Sequence, residues 1–200
     1  MEKPKCTYES HQSKPAKLWH FVAHEDSWQS FLVDAVLVII IGKFLVMPGL
    51  GLILHTNYPL VAVVSSSMDH HGKDFSQWWF ENGKWYEENR ISRTQFEKFY
   101  KYNGFSKGDA FAVVGVKSDK VKVGDVLVYQ VQGYPDPIIH RVIAINQDGT
   151  FQTKGDANYG QISFETSVSS AQVQGKAVLF GPWLGWVKVL ATDMMKFFLR

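Results

Sequence analysis

Hydrophobic and polar positions follow four different rhythms along the chain, and each predicts a different element. Phe31 to Leu54 (FLVDAVLVIIIGKFLVMPGLGLIL) is a nearly unbroken apolar run. Its length suits a bilayer span, since about 20 apolar residues cross the hydrocarbon core. Asp34, Lys43 and Pro48 interrupt it. A charge at mid-span costs roughly 2.5–3.5 kcal/mol on insertion scales, unless, as with Lys43, a long side chain can extend its amine along the helix. The competing reading is a buried core helix; a transmembrane anchor over 31–54 is the expectation.

Beyond the run, short stretches rich in β-branched residues recur: Tyr58–Val64, Ala110–Val116, Val126–Val131, Ile138–Ile145, Thr150–Thr153 and Val173–Leu179. Turn signals separate them, among them Lys107-Gly108-Asp109, Val123-Gly124-Asp125, Gln147-Asp148-Gly149 and Lys154-Gly155-Asp156. Short strands without intervening helices predict a mostly β fold, an antiparallel sheet or small barrel. Residues 69–107 break the pattern with aromatics set among charges. Ser92 three residues before Gln95 has capping-box spacing, so this stretch reads as a partly helical insertion. Pro182 to Arg200 is amphipathic at helical spacing. Lys188, Asp193, Lys196 and Arg200 share one arc, and Trp183, Leu190, Met194 and Phe197 lie opposite. That suits a helix lying on a membrane surface, with a second span as the alternative.

The predicted organisation is a cytoplasmic segment over 1–30, the anchor at 31–54, a main folded domain at 55–180 and the amphipathic or membrane helix at 181–200. The apolar run starts too late and is too long for a cleaved leader, so it is read as retained. Lys3, Lys5, Lys14 and Lys17 precede it, favouring a cytoplasmic N-terminus and a domain on the extracytoplasmic side of the cytoplasmic membrane. The formal charge of +2 and the lack of a basic run or Gly-rich phosphate loop exclude nucleic acid as the main partner. One cysteine, Cys6, rules out a disulfide-stapled scaffold. No His and carboxylate set has metal-ligand spacing, and no cofactor is called for.

Ser67 closes a Ser-Ser-Ser-Met run at the end of an apolar strand, just past the anchor. A serine hydroxyl attacks at neutral pH only with a base to take its proton. His140, within Ile138-Ile139-His140-Arg141-Val142, is the best candidate, because a titratable ring inside an apolar strand needs partners. His70 and His71 are rivals close to Ser67. An aspartate would orient the imidazole; Asp156 is one choice, and spacing alone does not separate it from Asp136 or Asp148.

The ordered set is more specific than its members. Val63-Val64-Ser65-Ser66-Ser67-Met68, Lys107-Gly108-Asp109, Val123-Gly124-Asp125-Val126-Leu127-Val128-Tyr129, Pro137-Ile138-Ile139-His140-Arg141-Val142 and Thr153-Lys154-Gly155-Asp156-Ala157-Asn158 follow one another in sequence. This resembles the type I signal peptidases, from the anchor to Lys188. It is similar to their archaeal and endoplasmic-reticulum branch, which carries histidine where bacterial enzymes carry lysine. The resemblance implies a membrane-bound endopeptidase that removes signal peptides from secretory preproteins. It implies Ser67 as nucleophile, His140 as general base and Asp156 as supporting acid, with the Ser67 amide and the Ser65 hydroxyl facing the oxyanion beside Met68. It also implies a β-rich domain whose apolar surface rests near membrane lipid, and a substrate bound as an added strand with small residues before the cleavage site.

The chain departs from that family pattern in three places. Ser66 stands where glycine is common, and Asp69-His70 stand where proline is common. Tyr159-Gly160-Gln161-Ile162 intervene before Glu165, so the family's second acidic position has no clear counterpart. About forty residues separate Met68 from Lys107, where many relatives have a short link. Ser66 and the missing proline leave one alternative, a membrane-anchored non-catalytic β-domain that binds peptides or partner proteins.

Overall fold

The computed structural model describes residues 28–198; the expected cytoplasmic segment through residue 27 and the last two residues lie outside them. The chain divides into two compact units, one ending at Gly49 and one beginning at Leu50.

The described residues of the first unit are helical. Trp28–Leu54 is a continuous helix long and apolar enough to cross a membrane. It comprises α1 (Trp28–Ile41), a π-helical turn (Gly42–Val46) and α2 (Met47–Leu54). The wide turn falls just before Pro48, which has no N–H to give the ladder and whose ring would crowd the carbonyl four residues back. Lys43 sits in this turn with its amine 5.4 Å from the Phe44 ring centre.

The second unit is built on one six-stranded sheet. Its strands are β1 (Leu60–Ala62), β2 (Ala110–Val114), β3 (Val126–Tyr129), β4 (Ile138–Ile145), β5 (Phe151–Lys154) and β6 (Val173–Gly181). Their order is β1-β2-β6-β3-β4-β5, and every neighbouring pair is antiparallel. β3 (VLVY) is buried along its whole length, as expected of a strand packed on both faces. On one side Leu127, Tyr129, Val142, Phe151 and Val168 form a core; on another Val63, Met68, Phe111, Val126 and Ala177 form a second.

Helix α3 (Phe75–Glu88) and the single turn α4 (Arg93–Phe96) occupy the aromatic insertion. Asp74 caps α3, its carboxylate accepting from Gln77 N at 2.9 Å. Ser92 caps α4 as its spacing predicts, but the helix stops after one turn. Trp78, Trp79, Tyr86, Ile91 and Phe96 pack together and against Ile143 of β4. After a turn in which Trp183 takes a left-handed backbone, α5 runs over Trp186–Phe198. The side-chain positions of Lys196 and Phe197, part of its expected two faces, lie outside the described residues. The mostly β architecture with an N-terminal apolar helix, a partly helical insertion and a C-terminal helix is the one the sequence predicts.

Candidate active site

Alternation along β4 sets the site. Successive side chains of a strand point to opposite faces, so His140 and Arg141 serve two different neighbourhoods. His140 is nearly fully buried, and its Nε2 lies 2.9 Å from Ser67 Oγ. Ser67 stands in the loop that follows β1, and Ser65 Oγ lies 3.2 Å from Ser67 Oγ. On the far side of the ring, His140 Nδ1 is 2.5 Å from Glu165 Oε1.

Glu165 was not legible as a site residue. It is fully buried in a 3-10 turn (Ser163–Thr166) after β5. Its carboxylate accepts from Ile162 N at 2.7 Å and from Gly155 N at 3.2 Å, which fixes it against the imidazole. The signal that could have found it is a lone carboxylate in a short apolar-flanked turn after the Gly-Asp turn.

Asp156, the expected supporting acid, is engaged elsewhere. Arg141 grips it with a two-pronged contact, Nε to Oδ1 at 3.0 Å and Nη2 to Oδ2 at 2.7 Å, and neither residue is exposed. Tyr86 OH donates to Asp156 Oδ1 at 3.1 Å, and His70 Nε2 lies 3.6 Å from Oδ2. Burial would raise the Asp156 carboxyl, but Arg141 and His70 together hold it well below the usual carboxylate range. Burial and the neighbouring Asp156 charge push the Tyr86 phenol up. Lys154, buried beside them, is pushed down to about 8 by desolvation, against the pull of Asp156 and Glu165.

The Asp156 turn also holds the serine loop. Ala157 N donates to Ser67 O at 2.8 Å, and Asp156 N donates to Met68 Sδ at 3.2 Å. Gly155 is required there by close approach, since a Cβ would meet Ser67 O at 2.8 Å. Met68 is buried in the core, anchoring the loop from below. Of the predicted residues, Ser65, Ser67, Met68 and His140 thus come together, Asp156 sits one layer behind, and Asp136 and Asp148 make their bonds elsewhere. Of the rival histidines, His71 is exposed, and His70 turns to Asp156. Among the described residues no group of His, Cys, Asp and Glu could hold a metal ion.

A cleft of about 290 Å³ opens beside Ser67, walled by Ala62, Val63, Met68, Pro137 and Ile139, with Ser65 and His140 at its polar edge. Apolar walls meeting a few convergent polar groups are what a binding site for a short extended chain requires.

Fold and site together define an antiparallel β-domain carrying a Ser–His–carboxylate constellation at the end of an apolar cleft. The chain is a homologue of proteins named signal peptidase complex catalytic subunit, the group its motifs resemble. It is 33% identical over 106 residues to signal peptidase complex catalytic subunit SEC11C of Homo sapiens, covering 46% of this chain and 53% of that protein. It is 27% identical over 164 residues to the SEC11 subunit of Komagataella phaffii, covering 75% and 76%. Over 165 residues it is 26% identical to that of Scheffersomyces stipitis, covering 78% and 79%. The chain spans about half the length of the mammalian relatives it matches. No protein-family model matches it.

Proposed function

We propose that this protein is a membrane-bound serine endopeptidase that cleaves signal peptides from exported preproteins. The observation that carries the reading is the 2.9 Å approach of Ser67 Oγ to His140 Nε2, with Glu165 against the opposite ring nitrogen. The relatives' name, signal peptidase complex catalytic subunit, supports the substrate class.

In this reading His140 takes the Ser67 proton as Oγ attacks the scissile carbonyl carbon. The Ser67 amide and Ser65 hydroxyl face the oxyanion, where one well-placed donor contributes roughly 3 kcal/mol. Collapse breaks the peptide C–N bond, and His140 Nε2–H protonates the departing amine. Water, deprotonated by His140, then cleaves the acyl ester and regenerates Ser67. Glu165 stabilises the imidazolium that forms twice in this cycle; Asp156 holds the loop instead. A step that needs a free general base gives a rate that falls with falling pH.

The anchor is the helix ending at Leu54, with residues 55–180 as the catalytic domain on the extracytoplasmic side of the cytoplasmic membrane. Membrane lipid is also a partner of the catalytic unit, where Leu179, Trp183, Leu184, Val187, Leu190 and Met194 are exposed. The apolar cleft would take an extended segment with small side chains before the cut. Incubating a model preprotein with the purified protein in detergent tests the substrate class. A single cut at the end of the signal segment, after a small residue, is expected; cuts scattered through the mature region would overturn it.

A further inference from the structure

The segment between Met68 and Lys107 reaches under the site at several points. Its carbonyls at Tyr100 and Lys101 accept from Arg141 Nη1 at 2.8 Å and Nη2 at 2.9 Å. The Phe96 ring centre lies 4.9 Å from the Arg141 guanidinium, in cation–π range. Tyr86 OH donates to Asp156 Oδ1, and the His70 ring stacks face to face on Trp78 at 3.8 Å and 4° while its Nε2 faces Asp156 Oδ2. All five groups converge on one buried ion pair. That pair fixes the turn whose Ala157 N–H holds the Ser67 carbonyl.

A serine nucleophile works within a narrow geometric window, and displacement by 1 Å costs about 100-fold in rate. We propose that the Asp69–Lys107 segment sets the position of the serine loop, with Tyr86 and His70 as positioning residues that act through Asp156. This rests on the reading of Ser67 as nucleophile. From the insertion side Tyr86 hydrogen-bonds this carboxylate and His70 faces it at 3.6 Å, while Arg141 grips it from the sheet. Loss of either lets the Asp156 turn, and Ser67 with it, drift from His140. Neither Tyr86 nor His70 lines the cleft, so substrate affinity is expected to hold.

Tyr86→Phe keeps the packed ring and deletes only the hydroxyl, and His70→Phe keeps the stack on Trp78 while deleting the nitrogen. Each is expected to lower kcat about tenfold with KM unchanged. The double variant is expected to be no slower than the slower single one, because both act through one carboxylate. Ile91→Val, buried in the same aromatic cluster away from the ion pair, is the stability control, with kcat unchanged. The assay is preprotein cleavage by the full chain in detergent, with Tm measured in parallel. If Tyr86→Phe keeps the wild-type kcat, or the two losses multiply, the positioning role is overturned even where His70→Phe does not fold. Ser67→Ala separates the two readings. An inactive Ser67→Ala beside a fully active Tyr86→Phe removes only the positioning role, whereas an active Ser67→Ala removes both.

Discussion

Replacing Glu165 by glutamine deletes one buried charge from the site and one of the two oxygens that accept from backbone N–H groups. The carboxylate lies 2.5 Å from His140 Nδ1, is shielded from solvent, and is held by the Ile162 and Gly155 amides. Before attack the carboxylate chiefly orients the ring that is to take the Ser67 proton. In the transition state the ring carries a full positive charge, and two unit charges about 4 Å apart set the scale. At the effective dielectric of a protein site that attraction is about 4 kcal/mol, so its loss corresponds to about a thousandfold in kcat. Glutamine retains the size and one oxygen acceptor, so the cleft and KM are expected to hold. The assay is single-turnover cleavage of a model preprotein, with circular dichroism and Tm checking the fold. Glu165→Asp, which keeps the charge but withdraws it by one methylene, is expected to fall between. A folded Glu165→Gln that cleaves within threefold of wild type would refute the role assigned to this carboxylate.

Three further outcomes follow from the charges behind the site. Asp156→Asn leaves Arg141 buried without its counter-charge and is expected to cost about 3–5 kcal/mol of stability; chemical denaturation with an unchanged midpoint would contradict this. Asp156 is ionised in the folded protein to lower pH than in the unfolded chain, so its stabilisation is complete above the ordinary carboxylate range and erodes only below about pH 4. Activity is therefore expected to fall on mild acidification while the circular dichroism spectrum stays native; parallel loss of both would place the acid limb in unfolding instead of His140. Lys154 sits at about 8 when folded, against about 10.4 unfolded, so the folded state binds fewer protons between those values. Unfolding free energy should rise with pH above 8 relative to Lys154→Met, and parallel pH profiles for the two proteins would contradict the burial of a charged amine.

Strand periodicity carried most of the fold, because β-branched runs bounded by Gly-Asp turns have few other solutions. β4 coincides with the predicted Ile138–Ile145. The strand read as Tyr58–Val64 pairs only over Leu60–Ala62, since its flanks bond to turn backbone, as in Val63 N to Asp109 O. Helix α3 was not resolved from the insertion, because Trp78, Trp79, Tyr86 and Phe96 pack on one another and on β4, an arrangement that its mixed aromatic and charged texture hides. Ser67 and His140 were legible through motif order. That Glu165, and not Asp156, meets His140 was not legible, because it depends on which face of β4 each carboxylate meets. The strand's alternation sends Arg141 to Asp156 and His140 to Glu165.

The most direct test compares wild type, Ser67→Ala and His140→Ala in cleavage of a model preprotein in detergent. The account predicts a single cut at the end of the signal segment by wild type alone, with both variants folded and inactive. Equal cleavage by all three, or full activity in His140→Ala, would contradict the assignment of nucleophile and base.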